Sequence, residues 1–132
     1  MQNAKRKMQN VLRRRGKMNE NIIVEKSLEF AIRIVNVYKH LCRVKREVVM
    51  SKQLLRCGTS IGANVAEGEK GQSKLDFRAK MSIALKEANE TKYWLTLLHR
   101  TGYLSAKEFE SLDGDVREII AILTAICKTA TT

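Results

Sequence analysis

SKQLLRCGTSIGANVAEGEKGQSKLDFRAKMSIALKEANETKYWL, residues 51 to 95, decides how this chain folds. Two stretches of helical periodicity flank a polar break at Lys70-Gly71-Gln72. In the first, Leu54, Gly58, Ile61, Val65 and Gly68 recur every three or four residues and make a slim apolar stripe. Beside it runs a more polar line of Gln53, Cys57, Ser60, Asn64 and Glu67. In the second stretch, Phe77, Met81, Ala84, Ala88, Leu95 and Leu98 form an apolar face flanked by Ile83, Glu87, Glu90 and Trp94. Small residues let two helices approach closely, and polar side chains beside such a seam need fixed partners. Gln53, Ser60, Asn64, Glu67, Asp76, Glu87, Glu90 and Trp94 are therefore expected to form a structural network between two tightly packed helices, with Glu90 or Gln53 accepting from the Trp94 indole.

Working outward, Ser51 is a plausible cap for the first of these helices, which should end near Glu69. Ser73-Lys74-Leu75-Asp76 resembles a capping box with Asp in the Glu position, and it starts the longest helix, which Gly102 stops. Ser105-Ala106-Lys107-Glu108 is a full capping box opening a last helix, whose stripe is Phe109, Leu112, Val116, Ile119, Leu123 and Ile126. Within it, Asp113-Gly114-Asp115 is read as carrying a tolerated, exposed glycine. Upstream, Ile23, Phe30, Ile34, Val37, Leu41, Val44 and Val48 lie on one side of a helix, and Leu28, Ala31, Val35, Tyr38 and Cys42 on the adjoining side. Four helices joined by short connections should be antiparallel to their neighbours. The fold class is all-α: an up-down-up-down four-helix bundle over residues 22–132, with no β-hairpin signal and no internal repeat. The apolar arcs of the first and last helices are wider than one bundle needs, which predicts self-association.

The chain has 132 residues, no Pro, 44% apolar and 30% charged residues, which suits one helix-rich domain. No apolar run approaches the roughly 20 residues of a membrane span, so neither a membrane nor a cofactor is expected. Cys42, Cys57 and Cys127 form no CxxC and have no histidine at ligand spacing, so they read as small buried hydrophobes in a reducing cytoplasm. The net charge of +11 is uneven. Residues 1–17 hold Lys5, Arg6, Lys7, Arg13, Arg14, Arg15 and Lys17 and no acid, leaving 18 basic and 14 acidic residues, a net of +4, for the rest. Residues 1–21 read as a basic, disordered tail that binds nucleic acid or stays solvated, and Met18 is an alternative start of the natural chain.

Catalytic chemistry finds little support. Glu87 and Glu90 have a bundle metal-site spacing, but no histidine stands three residues after any glutamate. Ser60 and Cys57 lack a neighbouring base and any nucleophile elbow. Arg33 and His40, two helical turns apart, resemble the Arg-x4–6-His element of HEPN ribonucleases, a pattern that two residues at loose spacing often make by chance. Lys39, Arg43, Lys45, Arg46, Lys52 and Arg56 are the candidates for phosphate contact. The cations at the end of the first helix also suit its dipole. Without aromatic stacking platforms, binding would follow the nucleic-acid backbone with little sequence preference.

The segments Gln53-Leu54-Leu55-Arg56, Ser60-Ile61-Gly62-Ala63-Asn64 with Glu67, Ser73 with Asp76-Phe77, Ile83 to Ala88, and Glu90-Thr91 with Tyr93-Trp94-Leu95 together resemble the bacterial 23S ribosomal RNA intervening-sequence proteins. The resemblance continues more weakly from about Ile23 to Lys128. It implies a four-helix bundle assembled as a homopentamer. The related accessory variability determinant of diversity-generating retroelements implies an alternative role, an oligomeric adaptor for a protein such as a reverse transcriptase. The expectation from sequence is a non-enzymatic oligomer that binds nucleic acid, RNA first, through basic surface. The adaptor stands second, and an Arg33/His40 ribonuclease third.

Overall fold

A computed structural model describes residues 1–130, so Thr131 and Thr132 of the expected 22–132 domain lie outside the described residues. The chain forms four helices in succession: α1 (Gln2–Arg43), α2 (Val49–Glu69), α3 (Lys74–Arg100) and α4 (Ala106–Ala130). Each helix packs on two neighbours, α1 on α2, α2 on α3, α3 on α4 and α4 back on α1, which closes an antiparallel bundle. The stripes set by periodicity meet inside it. Ile23, Phe30, Ile34 and Leu41 of α1, Leu54, Ile61 and Val65 of α2, Met81, Leu95 and Leu98 of α3, and Leu112, Val116, Ile119 and Leu123 of α4 are all buried. Each large aliphatic side chain so removed from water contributes about 1.5–3 kcal/mol.

Small residues set how near the helices come. A Cβ on Gly58 would lie 2.9 Å from the Ile34 side chain, and one on Gly68 would meet Met81 Cε at 2.7 Å. The ends are fixed as their residues dictate. The Ser73 hydroxyl accepts from Asp76 N at 3.1 Å, while Ser105 and Glu108 cap each other reciprocally, each bond 3.1 Å. Gly102 takes φ +88°, the left-handed turn that only glycine enters freely. Gly114 has open space around it inside a continuous α4, as expected.

Three expectations need correction. Residues 1–21 are not a disordered segment: α1 begins at Gln2 and runs unbroken for 42 residues. Ala, Lys, Arg, Gln, Met and Leu favour helix, and the packed body of α1 supplies the nucleus from which the helix propagates. Every residue from Met1 to Arg15 is nevertheless exposed, so this extension leaves the bundle. Second, Ser51 is not the cap of α2. Glu47 does that work, its carboxylate accepting from Met50 N at 3.0 Å and Ser51 N at 2.8 Å. Third, the apolar surplus lies on α1 and not on α4. Leu28 and Ile32 are 62% and 56% exposed, whereas α4 leaves none of its described large apolar side chains exposed.

Candidate nucleic-acid interface

Antiparallel order brings the α1–α2 and α3–α4 turns to one end of the bundle. Lys39, Arg43, Lys45, Arg46 and Lys52 project into solvent there from the first turn. Arg100 and Lys107 do so from the second. None of the seven makes an ion pair among the described residues. Sequence reasoning missed Arg100 and Lys107 because they lie far along the chain from the first cluster, on another pair of helices. The antiparallel order of the four helices, which puts the first and third connections at one end, would have been the signal.

The end is built rigidly. Burial raises the affinity of the Glu47 carboxyl for its proton, but bonds from the Ser51 hydroxyl (2.6 Å) and from the N–H groups of Met50, Ser51 and Val49 outweigh it, so the group stays below the usual carboxylate range. Glu108 is held low by the N–H and hydroxyl of Ser105, against a smaller burial effect, with a further small contribution from the nearby His40 and Lys45 side chains. That coupling places α4's first turn beside α1's last. Across the second turn, His99 stacks on Phe109 with centroids 4.6 Å apart, and its Nδ1 donates to the Leu104 carbonyl at 2.9 Å. Arg46 sits at φ 59°, a left-handed conformation that costs a non-glycine residue about 1 kcal/mol or more.

Arg56 does not join this cluster. Its guanidinium pairs with Glu90 and, at 3.3 Å, with Glu87, tying α2 to α3. The hydrogen bond it donates to Glu90, opposed by a smaller desolvation effect, holds its pKa above the usual value. With the Arg56 side chain 48% exposed, the pair is a surface bridge worth less than about 1 kcal/mol. The expected α2–α3 network is correspondingly smaller. Glu67 reaches Lys80 at 2.7 Å. Asn64 and Ser60 turn back to their own helix, bonding the carbonyls of Ser60 (2.8 Å) and Arg56 (2.6 Å). Gln53 is exposed, and Asp76 serves the Ser73 cap through its backbone N–H. Among the described residues the buried Trp94 indole N–H has no acceptor, so neither Glu90 nor Gln53 fills that role, and its ring meets Tyr93 edge-on at 5.1 Å.

The other chemical candidates are also placed. Arg33 pairs with Asp115 and donates to Ser111 Oγ at 2.8 Å, so its guanidinium is committed to α4 while His40 is exposed two turns away. Burial pushes the Cys57 thiol up to about 11, far from thiolate chemistry. Among the described residues no cluster of His, Cys, Asp or Glu could hold a metal ion, and no helix is long and apolar enough to cross a membrane. A shallow apolar groove of about 310 Å³ runs between α1 and α2, lined by Val24, Leu28, Ala31 and the small residues Gly62, Ala63 and Ala66.

Comparison with known proteins agrees with this architecture. The family model described as 23S rRNA-intervening sequence protein matches residues 19–125. A crystal structure of a protein of unknown function from the S23 ribosomal protein family of Bacteroides thetaiotaomicron VPI-5482 is similar at 55% identity and a TM-score of 0.82, covering 83% of this chain and 98% of its own. No curated protein matches.

Proposed function

This chain belongs to the 23S rRNA-intervening sequence protein family, and from that premise we propose a non-enzymatic, cytoplasmic bundle that self-assembles and binds nucleic acid, RNA first, through one cationic end. The observation that carries this reading is the cluster of seven exposed cations, unpaired among the described residues, gathered by two turns: Lys39, Arg43, Lys45, Arg46, Lys52, Arg100 and Lys107. A rigid end bearing uncompensated charge recruits phosphates by releasing their counterions. Of the aromatic rings in the α3–α4 turn, Phe109 is stacked on His99 and Tyr103 packs against the core, so neither is offered to bases as an open platform. Contact here is therefore to phosphate and sugar, and sequence preference is slight.

The exposed Leu28 and Ile32 beside the α1–α2 groove support self-assembly, because a second bundle would bury them. Five copies is the number implied by the family resemblance. A ring would repeat the cationic end and multiply weak phosphate contacts by avidity. The ribonuclease reading loses support from the commitment of Arg33 to Asp115 and Ser111.

The solved relative spans the bundle with nearly its whole length, so a chain beginning at Met18 is a reasonable probe of this end by itself. Salt titration with several unrelated RNAs and DNAs should give steep, sequence-independent binding. Replacing Arg43, Lys45, Arg46 and Lys52 by Glu should weaken it on every probe, by about tenfold or more. Undetectable binding at low salt would favour the protein-adaptor role. Metal-independent RNA cleavage lost in His40→Ala would favour the nuclease. A stable monomer at micromolar concentration would refute the assembly.

A further inference from the structure

The α1 extension has an order that its charge alone conceals. Set in helical register, Gln2-Asn3-Ala4-Lys5-Arg6-Lys7-Met8 is followed by Gln9-Asn10-Val11-Leu12-Arg13-Arg14-Arg15. Gln-Asn recurs seven residues on, as do the cations of Arg6 and Lys7 at Arg13 and Arg14, whereas Ala4/Val11, Lys5/Leu12 and Met8/Arg15 differ. A seven-residue period returns to nearly the same helical face after two turns. Gln2, Arg6, Gln9, Arg13 and Lys17 thus form one ridge, and Asn3, Lys7, Asn10 and Arg14 the ridge beside it. Both ridges alternate carboxamide and cation. No acidic residue precedes Glu20, and no side chain of either ridge has a hydrogen bond or ion pair among the described residues.

We infer that this extension is a duplex-reading helix, which enters a nucleic-acid major groove and contacts base edges as well as phosphates. A lone α-helix is about 10–12 Å across, and the B-form major groove is about 12 Å wide. The side chains suit that setting: Asn and Gln pair bidentately with adenine, Arg with guanine, and flanking cations with phosphate. Regular A-form RNA has a major groove too narrow for such entry, so the target is DNA duplex or an RNA stem opened by a bulge. The opposite side carries Ala4, Met8, Val11 and Leu12, with Arg15 set among them. A basic helix with an apolar side also fits an anionic lipid surface, but lipid headgroups give no reason for two amide pairs in register. The inference rests on nucleic acid being the partner, yet it assigns base contact to a segment separate from the bundle end.

The test uses the full chain. Short DNA duplexes of random sequence are selected by binding, and affinities are then measured for selected and unselected DNA, fully paired RNA, bulged RNA stems and anionic vesicles. The joint variant Gln2→Ala, Asn3→Ala, Gln9→Ala and Asn10→Ala should keep its affinity for unselected DNA and lose the preference for selected sequences. The joint variant Arg6→Gln, Lys7→Gln, Arg13→Gln and Arg14→Gln should bind all DNA about tenfold or more weaker, with a salt slope reduced by roughly three to four. Fully paired RNA should bind more weakly than DNA or bulged stems. Circular dichroism and thermal unfolding would establish that both variants keep the bundle. The inference is overturned if no sequence is selected, if the amide variant selects the same sequences, if paired RNA binds as well as DNA, or if only vesicles bind. Reversing the bundle-end cluster separates the two sites. Selection that survives reversal upholds the extension without that end, whereas binding lost only on reversal upholds the end without the extension.

Discussion

The two ends of α1 carry the same kind of charge on different supports. At the C-terminal end, Lys39, Arg43, Lys45 and Arg46 ride on a turn braced by Leu41, by the Glu47 cap and by the first turn of α4. At the N-terminal end, seven cations ride on a helix whose first fifteen residues touch nothing buried. Tertiary contacts place the first set. Only helix periodicity places the second. Charge of one sign therefore meets unequal pre-organisation, which is why broad phosphate binding is proposed for one end and ordered base contact for the other.

Glycine substitutions give the largest expected contrast between the packed and the lone parts. Gly58→Ala should destabilise the bundle by about 1–3 kcal/mol, because its Cβ would press on Ile34 at 2.9 Å. Gly16→Ala meets open space and should raise the helicity of the extension, by up to about 1 kcal/mol in local stability, without lowering the bundle's midpoint. Urea unfolding and far-ultraviolet circular dichroism read both effects. Equal costs at the two positions would mean that the extension is packed as tightly as the body.

Glu47→Ala should come next, at about 1–2 kcal/mol, since it strips the caps from Met50 N and Ser51 N. The carboxyl is held below its ordinary value in the folded protein, so its contribution is full above the unfolded value of about 4.3. It is lost as the pH falls through the lower folded value. The difference between wild type and variant, measured by urea unfolding from neutral pH to below pH ~4, should shrink accordingly. A pH-independent gap would assign the loss to packing instead.

Smallest is Arg46→Gly. Releasing a left-handed arginine should stabilise the turn by up to about 1 kcal/mol while weakening nucleic-acid binding, so that the two properties move in opposite directions. A destabilised variant with unchanged binding would show Arg46 to be a structural residue and remove it from the interface.

Much of this was legible before any coordinates. Alternation at three and four residues named nearly every buried side chain, the Ser105–Glu108 box and the Gly102 stop, because these depend on neighbours within a turn. The candidate interface was half legible: five of the six proposed cations share one end, but Arg56 is held by Glu87 and Glu90. A charged residue on a helix does not announce whether its partner lies in solvent or on the next helix. The extension was misread for a related reason. Its basic, acid-free composition suits a disordered tail as well as a helix, and only the continuity of α1 with the packed bundle separates the two.

The sequence by itself determined four helices, their stripes and most of their ends, since periodicity and capping are local physics. Only the tertiary structure decided that Arg100 and Lys107 join the cations of the α1–α2 turn, that Glu47 and not Ser51 caps α2, and that Leu28 and Ile32 stay uncovered. Those outcomes depend on which faces meet across the bundle. That is settled by close approaches such as Gly58 on Ile34 and Gly68 on Met81, between residues with no local relation in the chain.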